Sequence, residues 1–117
     1  AGFMAETLRL CWACENVYVD TSGSNHWMDW MPYPLTFQDC LRRFYETVGP
    51  HRIIFGTDSS FLPRGWVVRY FEVLYQACHN LNIPREHIRA ITHDNAARLL
   101  NLASEPDNPL ATEDSGR

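Results

Sequence analysis

Two short β-type runs, each flanked by helical patterns, constrain the fold of this 117-residue chain more than any other feature. The first run covers residues 17–19 (VYV). The second covers 52–57 (RIIFGT), a continuous apolar stretch typical of a strand covered on both faces in a parallel sheet. Apolar residues recur at helical spacing before the first run, between the runs, and again over 67–81. This alternation predicts an α/β fold in which the two strands pair in parallel.

Residues that start and stop helices define the remaining elements. Thr36 and Asp39 have the spacing of a capping box and predict a helix that begins after Thr36 and ends at Gly49. Pro84 is expected to open a shorter helix at its first helical position. Thr92 is expected to cap a separate last helix.

The composition excludes several classes of function. The formal net charge is −4, and all ten positive charges are Arg, with no Lys. The chain therefore lacks the basic surface that binds nucleic acid, and a Schiff-base or P-loop lysine is excluded. It also lacks an apolar stretch of about 18 residues, so we expect no membrane partner.

The four cysteines include a C-x-x-C pair, Cys11 and Cys14, whose spacing occurs in redox motifs and zinc sites. Zinc ribbons need a second close pair, whereas Cys40 and Cys78 are far apart in the sequence. Redox pairs follow a strand, whereas this pair ends a helical pattern. We therefore interpret the cysteines as small apolar helix residues with reduced thiols, which indicates a cytoplasmic protein.

Each predicted strand ends in an aspartate, Asp20 or Asp58. In parallel barrels the catalytic groups gather at the carboxyl ends of the strands. Asp58 follows Gly56, which allows close approach, and its carboxylate can bind a divalent metal or act as a general base. It can equally cap its loop, because Asp-Ser-Ser is favourable turn chemistry. For Asp20 the preferred interpretation is a local hydrogen bond within the turn that it begins.

Two loops follow the strands and carry aromatic side chains. The first covers residues 24–35 and the second 59–65. Loops of about a dozen residues in compact domains are usually functional. Flat apolar faces and one Arg able to pair with a carboxylate indicate substrate contacts; the alternative is that the aromatic rings pack within the loops. The candidate substrate residues are His26, Trp27, Trp30, Phe61 and Arg64.

Three segments together carry a resemblance to a known family. They are NVYVDTSG at 16–23, RIIFGTDSSF at 52–61 and DNAARLLNL at 94–102. With them the chain resembles the C-terminal end of amidohydrolase-related proteins, the branch that includes aminocarboxymuconate semialdehyde decarboxylase. The resemblance implies the last two β/α units of a TIM-like (β/α)8 barrel, with the seventh strand in 16–23 and the eighth in 52–58. A complete barrel needs roughly 250 residues, so we expect 1–102 to be its C-terminal portion and 103–117 a flexible tail.

The resemblance places Asp58 beside a divalent metal, usually zinc, where the carboxylate binds or deprotonates the attacking water. The metal-binding histidines of the family lie upstream of this segment, and none of the five histidines here has the spacing of a ligand pair. The expected function is therefore part of a metal-dependent hydrolase or decarboxylase. Its substrate would be a small carboxylate-bearing or aromatic molecule, the isolated chain is expected to be inactive, and family resemblance favours a homodimer. The alternative is a catalytically inactive fragment or an interaction module that lacks the histidines.

Overall fold

The structure, a computed structural model, describes residues 4–23, 26–59 and 67–102, with the side chain of His26 excepted. Five α-helices and two strands lie in this part of the chain. They are α1 (Met4–Ala13), β1 (Val19–Asp20), α2 (Phe37–Val48), β2 (Ile53–Ile54), α3 (Val68–Asn80), α4 (Arg85–Arg89) and α5 (Asn95–Leu99). Short 3-10 helices cover His26–Trp30 and Pro50–Arg52, and a π-helical turn covers Ala90–Asp94. The order of helices and strands follows the sequence prediction.

The two strands pair in parallel, as predicted, with Val19 opposite Ile53 and Asp20 opposite Ile54. The ladder is shorter than the predicted run of 52–57, because the backbone beyond Ile54 finds other partners. The amide of Phe55 donates to the carbonyl oxygen of Ile91 at 3.0 Å. Beyond Ile54, the amide of Phe55 therefore bonds to the C-terminal helical run instead of to a neighbouring strand.

One face of the sheet carries the main hydrophobic core. Ile53, with 1% of its surface exposed, packs in a cluster with buried residues of α2 and α3, among them Leu41 and Leu74. The register puts Asp20 and Ile54 on the opposite face, because successive side chains of a strand alternate. Asp20 is exposed and Ile54 is half-buried, so within the described residues only one face is covered by helices. The expectation of a strand covered on both faces is not met in this part of the chain.

The capping box predicted at the start of α2 is present. The hydroxyl oxygen of Thr36 accepts from the amide of Asp39 at 3.2 Å, and the carboxylate of Asp39 accepts from the amide of Thr36 at 3.0 Å. The Thr36 hydroxyl also donates to the same carboxylate at 2.6 Å. At the other end, Gly49 takes a left-handed φ of 74° and its amide donates to Tyr45. Both ends of the helix are thus specified locally.

The prediction of two separate C-terminal helices was wrong at Thr92. Its hydroxyl donates to the carbonyl oxygen of Ile88 at 2.8 Å, inside a helical run that continues from Arg85 to Leu99 through the π turn. In that turn the amide of Asn95 donates to Ala90, one residue further back than in an α-helix. Pro84 lies just before the first helical residue instead of at it.

The segment 24–35, predicted as a loop, is partly helical. His26–Trp30 forms a 3-10 helix in which Met28 is buried, with its sulfur 3.9 Å from the sulfur of Cys40. An apolar side chain that reaches the interior from a surface segment favours a compact turn over an extended loop. Pro32 and Pro34 lie beyond this turn and precede α2.

All four cysteines are free thiols, and three of them lie in helices as predicted. Cys11, Cys40 and Cys78 are buried in three different helices, and Cys14 is half-buried just after α1. Across the described ranges, no helix has the length and apolar character needed to cross a membrane. The flexible tail expected at 103–117 lies outside the described residues.

Candidate functional site

The carboxyl ends of the two strands meet at a glycine. A Cβ atom added to Gly56 would lie 2.7 Å from Oδ1 of Asp20 and would overlap the hydroxyl oxygen of Ser22. The amide of Gly56 donates to the hydroxyl oxygen of Thr21 at 3.2 Å. The absence of a side chain at Gly56 therefore lets the segments that follow β1 and β2 lie against each other, as expected from its place before Asp58.

Asp20 is used locally, as the sequence indicated. Its Oδ1 accepts from the amide of Ser22 at 2.6 Å, which closes the turn after β1. The next amide, that of Thr21, donates to the carbonyl oxygen of Ile54 at 2.9 Å and extends the parallel pairing beyond Asp20. The turn therefore holds one carboxylate oxygen of Asp20 at the strand end and positions the hydroxyl of Thr21 toward Gly56.

Asp58 differs from Asp20 in both backbone and surroundings. Its φ of 56° lies in the left-handed region, which Asp adopts more readily than most residues. Its side chain is exposed, and no described residue donates a hydrogen bond to its carboxylate. The neighbouring hydroxyls of Thr57 and Ser59 bond to each other at 2.9 Å instead. Within the described residues no hydrogen bond to the Asp58 carboxylate supports the loop-cap interpretation, and both interpretations of Asp58 stay predictions.

The predicted substrate residues fall into two groups. Trp27 is half-buried and lines a cavity next to β1, whereas Trp30 is 80% exposed. The backbone of His26 begins the 3-10 helix, but its side chain is outside the described part. Phe61 and Arg64 also lie outside the described residues. Of the five candidates, only Trp27 lies in a described site close to a strand end.

The cavity beside Trp27 lies between α1, β1, the 3-10 helix and α2, and we call it the α1–α2 cavity. Its volume is about 180 Å³. Its walls are mainly apolar, and its polar lining comes from Thr7 and from the segment Asp20–Ser22. Sequence analysis did not predict it, because no periodicity reveals how far apart two helices pack over a strand. The apolar wall includes Met4, Val19, Phe37, Leu41, Phe44 and Ile53.

A family model described as Amidohydrolase matches residues 1–102, which include both strands and Asp58. The chain belongs to the amidohydrolase family. The resemblance in the three sequence segments is thereby confirmed at the level of the family. No curated protein and no solved structure matches the chain.

Among the described residues of this amidohydrolase-family chain, the most deeply buried polar residue is Asn95, which sequence analysis did not single out. It is 0% exposed, and its Nδ2 donates to the carbonyl oxygens of Pro50 and Ile53, each at 2.7 Å. Its Oδ1 accepts from Arg98 at 3.3 Å. Asn95 follows Ile91 by four positions and therefore lies on the same inward face of the helical run. A polar residue on that apolar face is the signal in the sequence that could have identified it. The segment 94–102 therefore anchors the strand that leads to Asp58.

A second polar contact lies at the opposite end of β2, before the strand begins. The hydroxyl oxygen of Tyr45 is 2.6 Å from Nδ1 of His87, and the ring of His51 meets that of His87 edge-on with centroids 6.0 Å apart. Burial raises the pKa of Tyr45, with smaller contributions from Cys78 and Glu86. The hydrogen bond between the neutral phenol of Tyr45 and the imidazole of His87 therefore joins α2 to α4. This pair lies at the amino end of β2, whereas Asp58 lies beyond its carboxyl end, so the pair does not belong to the same site as Asp58.

The carboxylate of Asp58 is a type of donor that suits a divalent metal, but the described residues do not supply enough donors to hold one. Carboxylate oxygen is a ligand of zinc and of harder divalent ions, and the Asp58 carboxylate accepts no hydrogen bond from a described residue. Within the described ranges, however, no group of three or more His, Cys, Asp or Glu side chains is arranged to hold an ion. The described part of this amidohydrolase-family chain therefore does not hold a complete set of metal ligands, and no chemical step can be derived through a metal from its residues alone.

Proposed function

We propose that this chain provides Asp58 as the metal-proximal carboxylate in the active site of an amidohydrolase-family hydrolase or carboxy-lyase. The proposal rests on the exposure, backbone conformation and hydrogen bonding of Asp58. It is exposed after the second strand, has a left-handed backbone, and accepts no hydrogen bond from a described residue. A residue in this conformation stores strain of order 1 kcal/mol or more, which is more often tolerated at functional sites.

The surroundings of Asp58 agree with a place in a larger parallel barrel. The two strands are parallel neighbours, helices cover one face, and the other face carries the exposed Asp20 and half-buried Ile54. In our proposal β1 and β2 are the seventh and eighth strands of a (β/α)8 barrel. Further strands then complete the open face. Catalytic groups of such barrels lie at the carboxyl ends of the strands, where Asp58 is.

Within that site, Asp58 has a role that its own chemistry supports. An ionised carboxylate can orient a water molecule and accept its proton as the water attacks. A bound divalent metal, for which zinc is our expectation, would supply a water of lowered pKa. The remaining ligands would be histidines from outside this segment, since the described residues contain no sufficient group. We therefore expect the 117-residue chain alone to be inactive and not to retain metal.

For the substrate we propose a small molecule that carries a carboxylate or an aromatic ring. Trp27 beside the end of β1, together with the exposed Trp30, supports a site with flat apolar surfaces. Four free thiols support the cytoplasm as the compartment. Exposed apolar side chains such as Trp12, at 78%, and Leu100, at 68%, support a homodimer or contact with the rest of the barrel.

The test compares the 117-residue chain with the product of the complete reading frame. Both are dialysed, and bound metal is measured by elemental analysis. We expect about one metal ion or more per longer chain, none in the 117-residue chain, and an H-x-H pair with two further histidines in the added sequence. In the longer product, Asp58→Asn should lower kcat by at least about a hundredfold for hydrolysis or decarboxylation, since a base in proton transfer contributes about that much.

The matched control is Asp94→Asn in the same product. Asp94 is an acidic residue on the C-terminal helical run and bonds to His93 and Arg89, so its loss should leave kcat unchanged. A longer product without histidines, metal or activity would favour the alternative, an inactive fragment or interaction module. Stoichiometric zinc in the 117-residue chain would contradict the proposal that the ligand set is completed elsewhere.

A further inference from the structure

The α1–α2 cavity lies on the helix side of the sheet. Val19 and Ile53 line it from the strands, and the register turns both of these residues toward the helices. Asp20 is also in the lining, but the register places its side chain on the opposite face, where its Oδ1 lies beside Gly56. Asp58 is not among the lining residues. A ligand in this cavity would therefore meet no charged side chain of the described residues.

The size of the cavity limits the ligand to a single ring. The cavity measures about 180 Å³, and an apolar cavity of about 150 Å³ accommodates benzene. One six-membered ring with a one-carbon substituent therefore fits, whereas a drug-sized molecule, which needs about 300 Å³ or more, does not. Leu41 and Ile53 on one wall are almost fully buried, so the ring would contact well-fixed side chains.

Aromatic and sulfur-bearing side chains make up much of the apolar wall. Six lining residues belong to these two types, namely Met4, Trp27, Met28, Phe37, Cys40 and Phe44. Aromatic rings attract one another beyond the area that they bury, and sulfur atoms make favourable contacts with the edges of rings. Both effects favour a flat aromatic ring over a saturated ring of similar size.

The polar character of the wall favours an uncharged ligand. Burial raises the pKa of Cys40 to about 11, so its thiol is neutral at pH ~7. Among the described residues, no cationic side chain lines the cavity, so a carboxylate there would lose its hydration without gaining a partner. Water in a protein interior needs two to four polar partners, which side chains such as Phe37 and Phe44 do not offer.

From these features we infer that the α1–α2 cavity binds a small uncharged aromatic molecule, a single ring with at most a one-carbon substituent. Wall atoms that face the cavity have no protein neighbour on that side, and a ring of matching size supplies the van der Waals contacts. The ring would lie between α1, α2 and the two strands. The inference does not depend on the role proposed for Asp58.

The experiment uses toluene, with cyclohexane as a saturated ring and benzoate as a charged ring. Each is titrated over the same concentrations into the 117-residue chain, whose methyl groups are labelled for NMR. Toluene should shift the methyl signals of Met28, Leu41 and Ile53, which line the cavity, and leave those of the exposed Leu100 and Leu102 unchanged. Cyclohexane should bind about fivefold more weakly, because it lacks the aromatic contacts. Benzoate should bind at least about tenfold more weakly, because its carboxylate finds no partner.

Variants test where the ring binds. Val19→Phe places a side-chain ring in the cavity and should abolish the toluene shifts. Ile54→Phe is the matched control, because Ile54 is half-buried on the opposite face of the neighbouring strand, and it should leave toluene binding unchanged. Trp27→Leu keeps the wall apolar but removes one ring, so it should reduce the preference for toluene over cyclohexane. Circular dichroism identifies any variant that does not fold, and Trp27→Leu carries the test if Val19→Phe fails to fold.

Four results would overturn the inference. The first is the absence of methyl shifts with toluene at millimolar concentration. The second is binding of cyclohexane or benzoate as tight as that of toluene, which would contradict the chemical class of the ligand. The third is an equal loss of toluene binding in folded Val19→Phe and Ile54→Phe, which would place the ring elsewhere. The fourth is a chain without dispersed methyl signals, since a cavity of fixed shape requires a folded chain.

Discussion

Replacing Asn95 with alanine should destabilise the fold more than any other single change to a polar residue of the C-terminal helical run. The side chain is 0% exposed and joins this run to the segment before and within β2. Its Nδ2 reaches the carbonyl oxygens of Pro50 and Ile53, each at 2.7 Å. Alanine removes both donors, while the carbonyl groups remain where water has little access.

The expected loss in the free energy of unfolding follows from the two hydrogen bonds that the Asn95→Ala substitution removes. The bond to Ile53 is buried, so its unpaired carbonyl costs about 1–3 kcal/mol, and the partly buried bond to Pro50 adds about 1 kcal/mol. We therefore expect a loss of about 2–4 kcal/mol in the free energy of unfolding. This is a large part of the roughly 5–15 kcal/mol that stabilises a typical domain. For a chain of this size, Tm should fall by on the order of 10 °C.

Urea unfolding followed by circular dichroism at 222 nm measures the change. Asn95→Asp is the shape-matched variant, and it should be at least as destabilising, because it places a carboxylate against two carbonyl oxygens. Asn16→Ala is the control, since Asn16 is exposed in the turn after α1 and should change the free energy of unfolding by less than about 0.5 kcal/mol. A loss below about 0.5 kcal/mol in Asn95→Ala would refute the anchoring role.

Three further outcomes are expected. Gly56→Ala should lower the free energy of unfolding by about 1–3 kcal/mol in urea titrations, because its Cβ would lie 2.7 Å from a carboxylate oxygen; an unchanged midpoint would contradict this close approach. Hydrogen bonds from the side chain and amide of Thr36 lower the pKa of Asp39 below its ordinary value of 3.8. Its stabilising contribution is therefore complete above that value and is lost as pH falls through the lowered pKa. Carboxyl NMR titration of Asp39 should show this shift, and Thr36→Val should reduce it. Burial raises the pKa values of Cys40 and Cys78 to about 11 each, so iodoacetamide at pH ~8 should modify them slowly in the folded chain and rapidly in urea.

Local signals in the sequence were sufficient for much of the helical framework. The capping box at Thr36 and the stop at Gly49 depend on residues within a few positions of one another, and both appear as predicted. The parallel pairing was also predictable, because alternating helices and strands leave few other topologies. Where the prediction failed, at Thr92, the local cap signal was overridden by a helix that continues through a π turn.

The candidate site also combines features that the sequence predicts with features that only the folded chain shows. The local hydrogen bond of Asp20 was predictable, because it depends on the order of residues along one strand and its turn, whereas the second strand ends at Ile54, before the predicted end at Asp58. The close approach at Gly56 was suggested by the glycine, but its partners Asp20 and Ser22 lie more than thirty positions away. Only the folded chain shows which segments a small residue allows to meet.

Sequence analysis was enough to predict that this chain alternates helices with two short strands, that an acidic residue lies at or beyond the end of each strand, and that the chain resembles the amidohydrolases. These properties are encoded by local spacing and by residue type. The three-dimensional arrangement was needed to see that Asn95 joins the C-terminal helical run to the second strand and that a cavity lies between α1, α2 and the strands. Both depend on distances between segments far apart in the chain, which packing of side chains sets and no local pattern records.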